Sequence, residues 1–235
     1  MARNRRGAAP KRKGHPVRVA LVAIVVIVAA AVILGEAGVL GPEGVAAEDL
    51  TRVLIVAASP DENGDVVGQI ITIVDVTESP AALEPLSPAL EVSIPGTTYS
   101  ALADAYAFGG GAGTAEALAD ARNEAPLPYV AISADELAAA VEAAGGMRVT
   151  LPADMSVFDG TDLYTFKRGA QTLSVARLQA VLKGAPYLAE AEQQALDASL
   201  AEGLAAVLAA NPGTLEGATR TDLAPDALER VAATL

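Results

Sequence analysis

The sequence contains no cysteine and no tryptophan, and its single histidine is His15. The absence of cysteine excludes disulfide bonds and thiolate metal sites. His15 lies in a basic N-terminal stretch, so the body of the chain has no imidazole from which to build a Ser-His-Asp triad. Aromatic residues make up only 3% of the 235 residues, whereas the hydrophobic content is 52%. Alanine, valine and leucine must therefore fill the core.

The net charge of −13 is distributed unevenly along the chain. Residues 1–18 contain seven basic residues and no acidic residue. The remainder then holds nine basic and 29 acidic residues, which gives it a net charge of −20. Because a body this acidic repels the phosphates of nucleic acids, we expect no nucleic-acid partner.

An uncharged run of 16 residues without proline follows at 19–34. As a helix it would be roughly 24 Å long, slightly short of the ~30 Å hydrocarbon core of a bilayer. The basic residues before it predict a cytoplasmic tail at 1–18, one transmembrane anchor at 19–34 and an extracytoplasmic body in the cell membrane. A cleaved signal peptide is the competing interpretation, because small residues suited to cleavage follow at 35–37 and 45–47. We interpret residues 35–50 as a short stalk.

The clearest structural pattern runs from residue 129 to residue 151. A short apolar strand is predicted at 129–132, and Ser133 with Glu136 forms an S-x-x-E capping box at the start of a helix. Gly145-Gly146 ends this helix, and an alternating strand follows. We expect the rest of the domain to pack around this strand–helix–strand unit.

Helices and strands alternate along the rest of the body. Strands are predicted at 52–58, 69–76, 90–94 and 163–166, and loops at 77–89 and 154–162. Helices are predicted at 99–108, from Thr114 onward, and at 174–183, 187–210 and 225–233. The glycine run at 109–113 lacks the residues of a P-loop or dinucleotide motif, so we interpret it as a helix stop and a flexible turn. This alternation predicts the α/β class with a central sheet.

The turn at 59–65 is acidic, and Asp61 and Asp65 are its candidate metal ligands. The acidic residues lack the spacing of a calcium loop, so a solvated hairpin turn is the alternative interpretation.

Several stretches resemble the LytR-CpsA-Psr (LCP) family, the cell envelope-related transcriptional attenuator domain. In chain order they are Val92-Ser93-Ile94-Pro95, Ala105-Tyr106-Ala107-Phe108-Gly109-Gly110, the Tyr129 strand with Gly145, Gly146 and Pro152, Gly169-x-Gln171-x-Leu173, and Gln193-Gln194. The resemblance covers residues 51–210 and leaves 211–235 as a C-terminal linker with one short helix. It implies a central mixed β-sheet flanked by helices and preceded by one transmembrane helix.

Members of the family are phosphotransferases that move a glycopolymer from a polyprenyl-pyrophosphate carrier to peptidoglycan. The resemblance implies an apolar tunnel for the lipid, with arginines and Mg²⁺-binding aspartates around the pyrophosphate. Such chemistry needs cations that neutralise charge on the phosphoryl oxygens.

The chain departs from the family pattern at these charged positions. The replacements are Ala58 or Ser59 for an aspartate, Gly68-Gln69 for Asp-Thr, Gly96-Thr97 for Arg-Asp, Lys183-Gly184-Ala185 for Arg-x-Arg, and Glu192 for an arginine. Lys183 keeps the family's charge, and Arg177 lies on the same predicted helix. These two residues are the candidate catalytic cations, and Mg²⁺ is the expected cofactor if the family's activity is retained.

We therefore expect a membrane-anchored, extracytoplasmic LCP-like protein of cell-envelope assembly that lacks full phosphotransferase activity and binds a polyprenyl-phosphate lipid. One alternative is an active Mg²⁺-dependent phosphotransferase that uses Asp61, Asp65 and Lys183. Another is an envelope scaffold whose acidic face and C-terminal helix dock a protein partner.

Overall fold

The computed structural model describes residues 44–61, 63–218 and 220–235. The basic tail and the anchor predicted at 1–34, and most of the stalk predicted at 35–50, lie outside these residues. Across the described ranges, no helix combines the length and the apolar character needed to cross a bilayer.

The strands are β1 (Arg52–Pro60), β2 (Val66–Asp75), β3 (Ala82–Leu86), β4 (Tyr129–Ile132), β5 (Met147–Leu151), β6 (Met155–Phe158), β7 (Leu163–Phe166) and β8 (Gly169–Leu173). The helices are α1 (Leu102–Arg122), α2 (Ala134–Ala143), α3 (Val175–Gly184), α4 (Glu190–Ala210), α5 (Gly213–Glu216) and α6 (Pro225–Thr234). Short 3₁₀ turns lie at Ala47–Asp49 and Ala185–Tyr187.

Strand β1 lies inside a four-stranded sheet with the order β3-β2-β1-β4. It pairs antiparallel with β2 and parallel with β4, so the sheet is mixed. Successive side chains of a strand point to opposite faces. Val53 and Ile55 accordingly belong to one apolar cluster, and Leu54 and Val56 belong to another. Strand β1 is therefore buried on both faces.

Helices cover both faces of this sheet. Helix α1 places Leu102 and Tyr106 in the smaller cluster. Helices α2, α3, α4 and α6 place apolar residues such as Val181 and Leu200 in the larger one. The predicted mixed sheet flanked by helices is thus confirmed. The glycine run does interrupt α1, since Gly110 has φ 60° and ψ −150°, but the helix continues directly after this kink.

The strand–helix–strand unit has the predicted elements but not the predicted central place. The Ser133 N–H donates to Glu136 Oε2 at 2.7 Å and the Glu136 N–H donates to Ser133 Oγ at 3.3 Å, which completes the capping box. However, β4 lies at an edge of the main sheet, and β5 pairs with β8 in a separate two-stranded sheet. The central elements are instead β1 and β2.

The predicted strand at 90–94 is wrong, since Glu91 forms only an isolated bridge with Ala101. Three short strands lie instead where the sequence predicted turns or loops. The third strand of the sheet is β3, within the predicted loop at 77–89. Its Pro85 is tolerated because β3 is an edge strand, where a missing N–H leaves no ladder bond unmade. Strands β6 and β8 likewise replace a predicted loop and a predicted turn.

Residues 211–235, interpreted as a linker and a helix, pack into the core. The Ala131 N–H donates to the Arg220 carbonyl at 2.9 Å, and Val45 forms a parallel bridge with Leu223. Leu215 and Val231 are fully buried. This segment covers the free edge of β4, which would otherwise expose unpaired backbone groups.

Candidate functional site

The acidic residues of the turn between β1 and β2 stabilise that turn through hydrogen bonds with its own backbone. Asp61 Oδ1 accepts hydrogen bonds from the N–H groups of Asn63 and Asp65 at 2.7 and 2.9 Å. The Asp61 N–H donates to the Asp65 carbonyl at 2.8 Å. Among the described residues, no group of three or more acidic or histidine side chains is arranged to hold a metal ion. The arrangement is that of an Asx-type hairpin turn.

Arg177 packs against the strands beside α3. Its guanidinium carbon lies 4.5 Å from the ring centroid of Phe166, within the range of a cation–π contact. Its Nη2 lies 3.5 Å from the Thr165 carbonyl and 3.4 Å from Gln171 Oε1. These contacts assign Arg177 a packing role between α3 and strands β7 and β8.

Lys183 lies at the other end of α3, in a groove of about 580 Å³ beside β6 that we call the Lys183 groove. Asp154, Asp159, Phe158 and Tyr187 also line it. Hydrogen bonds from the backbone of the neighbouring turn lower the pKa of Asp159, and the charge of Lys183 adds to this effect. Lys183 therefore faces carboxylates, and Arg177 does not line the same groove.

Three stretches that the sequence analysis compared with the family line one small cleft. Gln69 of β2, Ala185 after α3 and Gln193 of α4 lie at or beside positions for which the resemblance implies charged residues or a Gln-Gln pair. All three line a cleft of about 140 Å³, together with Asp197 of α4. We call it the Asp197 cleft. The fold thus gathers residues that are more than 120 positions apart in the sequence.

Asp197 is the charged residue of this cleft, and sequence reasoning did not single it out. Burial raises the pKa of Asp197 to about 6, and no charged neighbour contributes to that shift. Gln193, Asp197 and Leu200 are spaced at i, i+4 and i+7, so they share one face of α4. That spacing, with a carboxylate beside the leucines of a buried stripe, is the signal that could have revealed it.

Other positions for which the resemblance implies charged residues make local contacts that support the fold. A Cβ added to Gly68 would lie 3.0 Å from Val56 Cγ1, which leaves little room for a carboxylate there. The Thr97 hydroxyl donates to the Ile94 carbonyl at 3.0 Å and closes a turn. Glu192 Oε2 accepts a hydrogen bond from the Ala189 N–H at 3.1 Å at the start of α4. An acidic residue suits this helix end, where the unpaired N–H groups carry partial positive charge.

The side chain of Gln193 is held over the turn that precedes α4. Its Nε2 donates to the carbonyls of Pro186 and Leu188 at 3.1 and 2.9 Å. These bonds fix the wall of the Asp197 cleft formed by the 3₁₀ turn. The cleft therefore offers a carboxylate, amide groups and apolar surface, and it contains no lysine or arginine among its lining residues.

No protein-family model matches the chain, and no curated protein matches it. Solved structures with similar folds do exist. Protein gbs0355 from Streptococcus agalactiae matches with a TM-score of 0.55 and 12% identity, over 77% of this chain and 73% of that chain. TagT bound to LIIa-WTA matches with a TM-score of 0.52 and 18% identity, over 78% and 74%.

TagV from B. subtilis matches with a TM-score of 0.50 and 14% identity, over 78% of this chain and 80% of that chain. Similarity at 12–18% identity concerns the fold, and a shared fold does not by itself establish a shared activity. The described part of this chain therefore has an α/β fold similar to those of TagT and TagV, which agrees with the fold that the resemblance to the LCP family implied.

Proposed function

We propose that this chain is an LCP-like protein of cell-envelope glycopolymer assembly that does not transfer phosphoryl groups. The observation that carries the proposal is the charge of the Asp197 cleft. Residues matched to the family's catalytic stretches converge there, and they present a carboxylate and two glutamines without a lysine or arginine.

Electrostatics opposes a pyrophosphate in such a cleft. Phosphoryl transfer depends on cations that neutralise the charge of the transferred group. A phosphate oxygen about 4 Å from an ionised carboxylate is repelled by about 4 kcal/mol at an effective dielectric constant of about 20. Asp197 is ionised above a pH of about 6, so the repulsion applies at neutral pH.

The proposal includes a membrane anchor at 19–34 and an extracytoplasmic body. The basic residues at 1–18 support this orientation by the positive-inside rule. N-terminal sequencing of the membrane-bound mature protein tests whether the anchor is retained, with Met1 or Ala2 as the expected first residue. A mature chain that begins near Gly38 would establish the cleaved signal peptide instead.

The activity is tested with the full chain in detergent micelles, supplied with a polyprenyl pyrophosphate with and without Mg²⁺. We expect no release of inorganic phosphate above that of a heat-inactivated sample. If the lipid binds, we expect its affinity to be the same with and without Mg²⁺, because contacts to its apolar chain and not to its pyrophosphate provide the affinity. Mg²⁺-dependent release that is lost in Lys183→Ala would establish the active phosphotransferase instead.

A gain-of-binding variant sharpens the test. Asp197→Asn removes the negative charge of the cleft. Ala185→Arg, made in the same chain, adds a guanidinium at the position for which the resemblance implies the family's second arginine. A charge-assisted hydrogen bond contributes about 1.5–3 kcal/mol, so we expect pyrophosphate to bind roughly 10- to 100-fold more tightly. Unchanged affinity would show that the Asp197 cleft is not the place where the family's phosphate site would lie.

A further inference from the structure

We propose that the Asp197 cleft binds a primary alkylammonium group, with the Asp197 carboxylate as the counter-ion. The ligand chemistry is a positively charged amine at the end of a short aliphatic stem. A lysine side chain and a free alkyl amine both present this group. This inference rests on the proposed absence of a phosphate site in the same cleft.

The walls of the cleft fit an aliphatic stem. Its apolar lining consists of Pro88, Ala89, Leu182, Ala185, Pro186 and Leu200. The cleft of about 140 Å³ is several times larger than one water molecule requires, so it has room for a short aliphatic stem with its ammonium group. Butylammonium, with four carbons and one nitrogen, is a group of this kind.

The carboxylate of the cleft has no partner of its own. In the described part of the chain, Asp197 forms no hydrogen bond and no ion pair, and burial alone changes its pKa. A partly buried charge without a compensating partner is costly, and a cation that enters the cleft removes that cost. Gln69, Ser87 and Gln193 offer further polar atoms at the rim.

An alkylammonium suits this cleft better than a metal ion. Asp197 is the one titratable residue among the lining residues, whereas Mg²⁺ and Ca²⁺ favour six or more oxygen ligands. The other lining elements present neutral groups: β2 presents Gln69, the segment after β3 presents Ser87, and the end of α3 presents Leu182. Apolar walls hold an alkyl stem and exclude the water shell of a metal ion.

The test is a ligand-observed NMR titration of the full chain in zwitterionic detergent with n-butylammonium chloride. Nα-acetyl-lysine N-methylamide is titrated in parallel, and 1-butanol serves as the uncharged control. We expect the amine to bind and the alcohol to bind at least about tenfold more weakly, since the alcohol cannot form the ion pair. Affinity should fall about tenfold from pH 7 to pH 5, because a carboxyl with a pKa of about 6 is about one-tenth ionised at pH 5.

Asp197→Asn keeps the shape of the cleft and should reduce amine affinity at least about tenfold. The matched control is Glu202→Gln, which removes one charge from an exposed position of the same helix and should leave affinity unchanged. Tighter binding of the lysine derivative would assign the cleft to a protein lysine, and tighter binding of butylammonium would assign it to a free amine. No detectable binding with butylammonium at about 20 mM, a concentration well above a Kd of about 1 mM, would overturn the inference. Equal affinity of the wild type and Asp197→Asn would overturn it as well.

This titration and the phosphate assay fail separately. Mg²⁺-dependent phosphate release would refute the proposed function whatever the amine result is. Absence of both amine binding and phosphate release would refute the amine site and leave the proposed function standing.

Discussion

Asp197→Asn is expected to stabilise the protein at neutral pH. Burial raises the pKa of Asp197 from its ordinary value of 3.8 to about 6, so the folded state binds this proton more tightly than the unfolded chain does. The free energy of unfolding therefore decreases as the pH rises from about 4 to about 6, and the loss is complete above that window. The difference between 3.8 and about 6 corresponds to at most about 3 kcal/mol, and solvent screening of this partly exposed carboxylate reduces the contribution below that figure. Asparagine carries no charge and avoids most of this cost.

The assay is urea unfolding of the full chain, followed by circular dichroism because the chain has no tryptophan. At pH 7.5 we expect the variant to exceed the wild type by about 1–3 kcal/mol, since the asparagine amide must also be desolvated. At pH 4 most of this advantage should disappear, because Asp197 is then protonated in the folded wild type. In thermal unfolding the gain corresponds to roughly 2–4 °C per kcal/mol for a domain of this size.

The control is again Glu202→Gln, which makes the same change of net charge at an exposed site of α4. It should change the free energy of unfolding by less than about 0.5 kcal/mol. An advantage of Asp197→Asn that is equal at both pH values, or that Glu202→Gln shares, would refute the reasoning that an uncompensated buried charge is the cause.

Three further predictions concern the fold. Ser133→Ala removes the cap of α2 and should cost about 1 kcal/mol in urea unfolding, whereas Ser174→Ala should cost little because that side chain makes no cap hydrogen bond. Gly111→Ala would place a methyl group 2.3 Å from an aromatic ring of β4, so a loss of about 1–3 kcal/mol is expected; Gly109→Ala meets open space, and equal losses in the two would contradict the packing argument. Removal of residues 211–235 should abolish cooperative unfolding, and a truncated chain that still unfolds cooperatively would show this segment to be dispensable.

The elements that could be predicted from the sequence are those whose sequence signals lie within or directly beside their own residues. Strand β1 is a continuous apolar run, and α2 has both its capping box and its terminal glycines within about a dozen residues. Strands β3 and β8 have no such signal. Each is five residues long and exposes part of its length, so its pairing with a neighbouring strand, β2 for β3 and β5 for β8, decides its conformation.

The candidate site could be predicted only in part, for a related reason. The resemblance directed attention to Lys183 and Arg177 because they are cations, yet one faces the acidic Lys183 groove and the other packs on Phe166. The chemistry of Asp197 depends on its desolvation by residues from β2, α3 and the segment after β3. The spacing of Gln193, Asp197 and Leu200 places the carboxylate beside a buried face of α4, but it does not show which residues of the other elements desolvate it.

The pairing of residues 45–47 with the C-terminal segment also constrains how the protein is made. Val45 exchanges backbone hydrogen bonds with Asp222 and Ala224, and Arg230 donates to the carbonyl of Ala47. A chain synthesised from its N-terminus must therefore reach residue 230 before residues 45–47 can form all of these contacts. Contacts so distant in sequence slow folding. Under the proposed topology, these contacts can form only after residue 230 has crossed the membrane.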